Sequence, residues 1–328
     1  MTIRPDEISI VVQGPINGKF DDPPAVRLTA ACLASIRQHL PGAEIILSTW
    51  AGSDVRGLDF DQLVESADPG AKSFWRDSNW AFSLNRQIRS SAAGLRLVTR
   101  PYAMKLRSDM RIDGTAFLGL FERYPARHPD WQVFERRVVA CTVISQNVRR
   151  WGLSLCPSDW VHFGTTADVR KLWDIPEDEG DTVSQYFLSH PRPVPDKNAM
   201  FLCRYAVEQY IWLNCIRKHA PVQFDHLWDT NDAIRQLTEL TFANNLILAD
   251  EMGLQITFCK YPQPRLHHLL STTPAEWLAL YRRHCDPKFR GVPTLRLLWD
   301  RSTRKGELLA RKVWDRVKMI RQRVFGRR

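Results

Sequence analysis

The sequence predicts an α/β fold in which a mostly parallel sheet carries helices on both faces. Apolar runs without alternation, typical of strands buried on both faces, occur at residues 8–16 and 43–50. A further strand with period-two alternation, YAMKLRSDM, occupies residues 102–110. The intervening residues 25–40 and 79–95 have the composition or the spacing of helices. Strands and helices that alternate in this way predict parallel strands joined by helical crossovers.

Turn-forming residues set the boundaries of these elements. The first strand stops at the Gln-Gly-Pro of residues 13–15, and the Pro-Gly at 41–42 ends the first helix. LVESADPG at 63–70 predicts a short additional strand with a turn. Gly94 marks the expected C-terminal end of the second helix.

The second half of the chain is less regular. Residues 151–173 predict a strand and a loop that lead into a helix beginning near Thr166. AVEQYIWLNCIRKH at 206–219 predicts a helix with one apolar stripe. LQITFCKYP at 254–262 predicts another strand.

The net charge of +10 is concentrated at the C-terminal end of the 328-residue chain. Residues 301–328 hold eleven Lys or Arg side chains against two acids, Glu307 and Asp315. The first 300 residues are therefore close to neutral. Because a protein that binds nucleic acid spreads its basic residues over a folded face, we expect no nucleic-acid partner.

The composition is that of a cytoplasmic globular protein. No run of about 18 uncharged apolar residues occurs, so we expect no membrane span. The seven cysteines are scattered and form no CxxC pair, which suits a reducing compartment. The first residues lack the apolar core of a signal peptide, and we therefore expect the protein in the cytoplasm.

Polar side chains follow three of the predicted strands. In sheets of this kind ligands bind beyond the carboxyl ends of the strands, so the three strand ends predict one site. A carboxylate there can carry a divalent cation that bridges phosphate oxygens, while Lys and Arg neutralise the remaining charge. The residues concerned, with Arg86 from the preceding helix as a phosphate partner, are Gln13, Gly14, Pro15, Thr49, Trp50, Asp54, Lys105, Arg107, Asp109 and Asp113.

Six segments occur in an order that resembles a known family. They are VVQGPI, IRQHLPGAEIILSTWAGSDV, DPGA, NRQIRSSAAGL, YAMKLRSDM and SDWVHFG. Together they resemble the WavE-type lipopolysaccharide synthesis family of bacterial glycosyltransferases, over roughly residues 8–265. The resemblance implies a GT-A-like fold and a nucleotide-sugar donor. It also implies transfer of the sugar to a lipid-linked or oligosaccharide acceptor in a growing lipopolysaccharide core, O-antigen or capsule.

The resemblance also sets an expected domain organisation. We expect a glycosyltransferase domain at residues 1–300 and a basic amphipathic tail at 301–328. Within the domain, residues 1–115 form the nucleotide-sugar-binding half and residues 116–300 form the acceptor half.

Two acids near the end of YAMKLRSDM are the expected metal ligands. Asp109 and Asp113 could hold Mn²⁺ or Mg²⁺, as an acidic pair after a central strand does in GT-A enzymes. Arg stands at position 107, where a plain Asp-x-Asp pair has its first acid. Lys105 and Arg107 could therefore supply the positive charge in place of the cation.

Two acids in the second half are candidates for the general base of an inverting transfer. Glu208 lies near the start of a predicted helix, and Asp159, the less favoured of the two, lies in SDWVHFG among aromatic residues. His267 and His268 follow the last predicted strand, where many GT-A enzymes keep a late metal-binding His.

Each of these residues also has a structural explanation. Residues 13–15 could form only a tight turn, and Asp109 could cap the turn after its strand. An Asp-Gly pair such as that at Asp113 is common in turns. Arg86 could lie on a solvated helix face, and Glu208 could be favoured by the helix dipole.

The C-terminal tail has the pattern of a basic amphipathic helix. Its apolar residues recur at steps of three or four, and most of its cations lie on the other faces. We expect this helix to bind an anionic bilayer and to hold the protein at the inner face of the cytoplasmic membrane. A helix packed on the domain is the alternative. The stripe, with Trp314 and Phe325 beside it, comprises Leu309, Val313, Val317, Ile320 and Val324.

A second function fits the same sequence. A non-catalytic protein could keep the GT-A-like sheet and bind a membrane surface or an acidic partner through its tail. The polar residues at three strand ends favour the enzyme, because a scaffold does not need them. Binding of a nucleotide distinguishes the two functions.

Overall fold

Strands and helices alternate through most of the chain, as the sequence predicts. The computed structural model describes residues 3–73, 81–150, 153–193, 201–259 and 269–325. The strands are β1 (Ile8–Gln13), β2 (Glu44–Trp50), β3 (Gln62–Ser66), β4 (Lys72–Ser73), β5 (Ala81–Phe82), β6 (Tyr102–Arg107), β7 (Arg111–Ile112), β8 (Val138–Cys141), β9 (Val161–Thr165), β10 (Leu246–Ala249) and β11 (Ile256–Thr257). The helices are α1 (Leu28–His39), α2 (Leu84–Leu97), α3 (Ala116–Phe121), α4 (Thr166–Trp173), α5 (Val207–Arg217), α6 (Asp232–Asn245), α7 (Glu251–Leu254), α8 (Pro274–His284) and α9 (Thr294–Phe325).

Seven of these strands form a central sheet in the order β10-β8-β9-β6-β1-β2-β3. Neighbouring strands are parallel except at β9, which is antiparallel to both β6 and β8. The prediction of a mostly parallel sheet is therefore confirmed. Strand β9 reverses because the described part of the loop between β8 and β9 contains no helix that would carry the chain back across the sheet.

The reversed strand brings a fourth segment to the carboxyl edge of the parallel strands. Strand β9 starts opposite the end of β6, which places Asp159 and Trp160 beside that end. At the same edge Gln13 of β1 pairs with Arg107 of β6 and with Ser48 of β2. The three strand ends predicted to form a site therefore lie side by side.

Helix α2 packs closely on the sheet at a glycine. Gly94 was predicted to end this helix, but the helix continues to Leu97, and that prediction is wrong. A Cβ on Gly94 would lie 2.3 Å from Cγ1 of Val11 and 3.1 Å from Cβ of Ser48. The missing side chain is thus what permits helix α2 to approach β1 and β2.

The second half contains strands that the sequence did not reveal. Strands β8 and β10 are four residues long and fully buried. The helices predicted near Thr166 and at 206–219 are confirmed as α4 and α5. Of the strand predicted at 254–262, only β11 forms, and residues 260–262 lie outside the described residues.

The C-terminal helix α9 begins at Thr294 and docks on the body through its first turns. Leu297 packs with Ala275 of α8 and with Val292. The guanidinium of Arg304 donates a hydrogen bond of 2.7 Å to the carbonyl oxygen of Ser271. No helix among the described residues is long and apolar enough to cross a membrane.

Candidate functional site

The turn after β1 is fixed between the ends of two neighbouring strands. The amide of Gly14 donates to the carbonyl oxygen of Ser48 at 3.0 Å, and the amide of Ser108 donates to that of Gln13 at 3.0 Å. The Ser108 hydroxyl donates to the carbonyl oxygen of Pro15 at 2.7 Å. Gly14 has φ +120, and a Cβ there would lie 3.3 Å from Oγ of Ser108. The turn therefore requires glycine at this position.

The Gln13 side chain lies under this turn. Its Oε1 accepts a hydrogen bond of 2.6 Å from the Ser90 hydroxyl, and its Nε2 donates to Oε1 of Gln87 at 3.1 Å. Both partners belong to α2, so Gln13 ties the helix to the end of β1. The surface of the turn is left to its backbone and to Pro15.

The end of β2 contributes a buried hydroxyl and an exposed ion pair. Thr49 is buried with Oγ1 3.2 Å from Oγ of Ser53, and Trp50 is half-buried. Asp54 accepts hydrogen bonds of 2.8 and 2.7 Å from Arg56. The Arg56 guanidinium lowers the pKa of Asp54 to about 2. Asp54 is therefore a fully ionised carboxylate at the rim.

Arg86 is held by a second exposed acid. Its Nε donates to Oδ1 of Asp68 at 2.7 Å, and its Nη2 donates to the other carboxylate oxygen. This hydrogen bond raises the pKa of Arg86 and is the largest cause that lowers the pKa of Asp68. Asp68 belongs to the DPGA segment after β3, so this pair fixes the start of α2 against that turn.

A nearly buried ion pair lies at the end of β6. Arg107 donates hydrogen bonds of 2.9 and 2.7 Å to the two carboxylate oxygens of Asp109. Their side chains are 16% and 6% exposed, respectively. The guanidinium carbon of Arg107 also lies 5.1 Å from the ring centroid of Trp160. Asp109 therefore fixes the orientation of Arg107, and the residue that breaks the Asp-x-Asp pattern neutralises Asp109.

The acids do not form a ligand set for a divalent cation in this arrangement. Asp113 uses one oxygen to accept from Arg111 at 2.7 Å and the other to accept from the Thr257 hydroxyl. Both oxygens of Asp109 accept from Arg107. Within the described ranges, no group of three His, Cys, Asp or Glu residues could hold a metal ion. His267 and His268 lie outside the described residues.

Lys105 lies in the core rather than at the rim, which corrects its expected place beside a diphosphate. The side chain is fully buried, and its ammonium donates to the carbonyl oxygens of Asp159 and, at 3.5 Å, Trp160. It also lies 4.6 Å from the centroid of a Trp173 ring. Burial lowers the pKa of Lys105 to about 7, although the charge of Asp159 opposes this shift. Lys105 thus holds the backbone of the loop before β9.

His162 holds the same loop and was not recognised in the sequence. Its Nε2 lies 3.0 Å from the carbonyl oxygen of Ser158, and Nε1 of Trp173 donates to its Nδ1 at 3.2 Å. Burial, and then the charge of Lys105, lowers the pKa of His162 to about 3. The ring is therefore neutral, and Nε2 donates its proton to Ser158. The sequence signal that could have identified His162 is a single His within the otherwise apolar strand VHFG.

The two candidate bases lie close enough for their charges to interact. Asp159 is buried, and its Oδ1 has no hydrogen-bond partner among the described residues. Glu208 lies in the first turn of α5. Burial, and then the charge of Asp159, raises the pKa of Glu208 to about 8. Glu208 therefore keeps its proton at neutral pH while Asp159 repels a second negative charge.

Polar side chains are thus gathered beyond the carboxyl ends of parallel strands, which is where α/β proteins with this kind of sheet bind their ligands. The WavE lipopolysaccharide synthesis family matches residues 8–311 of this chain. The chain therefore belongs to the WavE lipopolysaccharide synthesis family. The match extends beyond the segments that carried the resemblance and includes the first part of α9.

Similarity to solved structures is low and distributed over several proteins. The 4-diphosphocytidyl-2C-methyl-D-erythritol synthase of Anaerococcus prevotii is 9% identical with a TM-score of 0.31, over 58% of this chain and 80% of its own. S. aureus TarS 1-349 in complex with UDP-GlcNAc is 10% identical with a TM-score of 0.31, over 86% and 74%. The glycosyltransferase GlyE of Streptococcus pneumoniae is 14% identical with a TM-score of 0.26, over 51% and 38%. No curated protein matches the chain.

Proposed function

We propose that this protein is a glycosyltransferase that moves a sugar from a nucleotide-sugar donor to a growing cell-envelope glycan. Family membership supports the glycan, since the family takes part in lipopolysaccharide synthesis. One observation carries the enzymatic proposal. Two interacting acids, Asp159 and Glu208, lie near the Arg107–Asp109 pair, and the pKa of Lys105 responds to the charges of Asp159, Arg107 and Asp109. A carboxyl group whose pKa is raised beside a second acid, as that of Glu208 is, is typical of general acid–base sites.

In this proposal the donor lies along the edge of β1, β2 and β6. The nucleoside contacts the turn at residues 13–15 and the end of β2. The guanidinium of Arg107 binds the diphosphate, with its orientation fixed by the two hydrogen bonds to Asp109. Arg86 is the second candidate phosphate partner, positioned by Asp68. Guanidinium groups then supply the positive charge that a metal ion would otherwise bring, because Asp109 and Asp113 are already paired with arginines.

Asp159 and Glu208, which we call the acid pair, act on the acceptor. In an inverting transfer, Asp159 or Glu208 takes the proton of the acceptor hydroxyl, whose oxygen forms a bond with the anomeric carbon. The bond from that carbon to the phosphate oxygen of the donor breaks, and the nucleotide leaves with the electron pair. Once it has lost its proton, Glu208 is a stronger base than an ordinary carboxylate because its pKa is raised to about 8.

Calorimetric titration with UDP-, GDP-, CMP- and dTDP-sugars tests the proposal. We expect one of them to bind, and we expect Arg107→Lys to weaken its binding at least about tenfold, because lysine lacks the bidentate fork. Arg111→Lys is the matched control, since its pair with Asp113 is exposed. If no nucleotide-sugar binds the wild-type chain, the proposed function is wrong.

The second candidate function is a non-catalytic protein that binds a membrane surface through its tail. It is favoured by four apolar side chains of α9 that are more than half exposed: Leu309, Val313, Trp314 and Val317. By helical spacing Leu309, Val313 and Val317 lie opposite the docked residues Leu297 and Arg304, which are buried, and Trp314 lies beside that stripe. We propose the same membrane attachment for the enzyme, because cations flank an apolar face of this kind in interfacial helices. Vesicle binding without nucleotide-sugar binding would favour the non-catalytic protein.

A further inference from the structure

A cavity of about 500 Å³ lies apart from the Arg107–Asp109 pair, between the segment after β8 and helices α6, α8 and α9. We call it the arginine cavity. The polar side chains of its wall that matter here are Gln146, Arg149, Arg150, Arg283, Arg301 and Lys305.

The wall of the arginine cavity has three positive charges in excess, because five cationic side chains face two carboxylates. Glu239 accepts from Arg149 at 2.6 and 2.9 Å and from Arg283 at 3.2 Å. Burial alone would raise the pKa of Glu239, but the Arg149 hydrogen bond and the nearby cations lower it to about 2. Glu276 is paired with Arg150. Both acids are thus already compensated within the wall.

The uncompensated charge comes from helix α9. Arg301 and Lys305 are exposed and form no ion pair with any described residue. The buried guanidinium of Arg304 lies beside them on the helix. Burial, and then the charge of Arg150, lowers its pKa, although the charges of Glu276, Asp300 and Glu307 oppose this shift. The region therefore already carries more positive charge than its own acids balance, which favours an anion in the cavity.

One wall atom indicates a ligand with hydrogen-bonding groups besides its charge. Oε1 of Gln146 is buried and has no hydrogen-bond partner among the described residues. A buried amide oxygen without a partner is costly, and a rotation of the Gln146 side chain toward the adjoining cavity would let a ligand hydroxyl satisfy it. Apolar side chains, including Phe242 and Leu280, complete the wall. A phosphate ester that also carries hydroxyl groups matches this combination.

The arginine cavity is connected to the acid pair through one loop. Gln146 follows Ser145, whose hydroxyl accepts a hydrogen bond of 2.9 Å from the amide of Ser158. Ser158 directly precedes Asp159. A group bound in the cavity is therefore held by the same segment that positions a candidate base.

We infer that the arginine cavity binds a phosphate ester of a hydroxyl-bearing acceptor, such as a phosphorylated glycan, through Arg301, Lys305 and Gln146. Only the assignment to the acceptor rests on the proposed function. Phosphate binding itself requires no donor and can be measured on the full chain alone.

Calorimetric titration of the full chain with inorganic phosphate and with glucose 6-phosphate tests this inference. We expect both to bind, the sugar phosphate more tightly, and we expect Arg301→Ala with Lys305→Ala to weaken both at least about tenfold. The matched control is Lys288→Ala with Arg290→Ala, which removes the same charge from exposed residues outside the cavity wall. Equal affinities in the two double variants, or no phosphate binding by the wild type, would overturn the inference.

Two further arms separate the sources of the phosphate and the two proposals. If phosphatidylglycerol vesicles bind with the same dependence on Arg301 and Lys305 while glucose 6-phosphate does not bind, the ligand is a lipid head group and the acceptor assignment is wrong. Gln146→Leu should weaken glucose 6-phosphate more than inorganic phosphate, and an equal effect on both contradicts the hydroxyl contact. Phosphate binding in a chain that binds no nucleotide-sugar would refute the proposed function and leave the cavity site intact.

Discussion

Glu208 owes its high pKa to burial and to its neighbour Asp159, and this gives the proposed reaction a pH dependence. A general base must lose its proton to act, so turnover should rise with pH toward about 8. Glu208→Gln should lower kcat about a hundredfold and remove this rise. Initial rates from about pH 6 to about pH 9 measure both effects. A variant that keeps the wild-type profile would place the base elsewhere.

The same carboxyl group links stability to pH. Its pKa rises from 4.5 to about 8 on folding, so the folded chain holds a proton that the unfolded chain releases. Its contribution to stability is full below about pH 4.5 and is lost as the pH rises toward about 8. Glu208→Gln should therefore gain stability relative to the wild type over this range. Urea unfolding of both proteins at the two ends of the range measures the difference, and parallel pH curves contradict it.

The ion pairs of Asp109 and Asp113 should contribute differently to the free energy of unfolding, because they differ in burial. Asp109→Asn removes the carboxylate charge from the largely buried Arg107–Asp109 pair, at a cost of about 3 kcal/mol. Asp113→Asn is the control, because its exposed pair with Arg111 contributes at most about 1 kcal/mol. Urea unfolding at neutral pH compares them. Equal losses in the two variants would mean that the Arg107–Asp109 pair is not the buried, oriented pair described above.

Two helical glycines test how closely α2 packs on the sheet. Gly94→Ala should destabilise the protein by about 1–3 kcal/mol, because the new methyl group would meet the stiff side chain of Val11. Gly119→Ala in α3 meets nothing within 4 Å and should stabilise the protein by about 0.5–1 kcal/mol through helix propensity. Opposite signs in thermal unfolding support this packing. A stabilising Gly94→Ala would contradict it.

Local patterns predicted the elements that are themselves local. The apolar runs of β1 and β2 and the alternation in β6 identified these strands, and their order predicted a common edge. The reversal of β9 was not predictable, because it depends on a loop without a helix rather than on the strand. Lys105 was misplaced for a similar reason, since the carbonyl groups that accept its hydrogen bonds lie more than fifty residues away in the chain. Gly94 and Val11 are likewise more than eighty residues apart in the sequence but adjacent in the fold.

At the scale of the whole molecule, the tail should act independently of the sheet. Replacing Val313, Trp314 and Val317 by Ser removes exposed apolar side chains without touching the docked residues Leu297 and Arg304. We expect the triple variant to lose most of its flotation with anionic vesicles at low salt, because the apolar face supplies the insertion. Wild-type flotation should also weaken at high salt, since each cation near the surface contributes about 1 kcal/mol. Equal flotation of the two proteins would exclude the tail as the anchor.

The sequence shows where the excess positive charge of the molecule is concentrated, but it does not show where the fold places the individual cations. The excess of cations in residues 301–328 is plain from the sequence. The structure places two of them, Arg301 and Lys305, in the wall of the arginine cavity. Four separate segments build that cavity, and no single one of them carries a recognisable motif.

The central claim is that the acid pair at the sheet edge catalyses sugar transfer from a nucleotide-sugar. Release of nucleoside diphosphate from the bound donor tests it most directly, in the wild type, Asp159→Asn, Glu208→Gln and the surface control Asp232→Asn. The account predicts release by the wild type and the control, and at least about a hundredfold slower release by one of the acid-pair variants, with donor affinity retained. Wild-type rates in both acid-pair variants would contradict the claim.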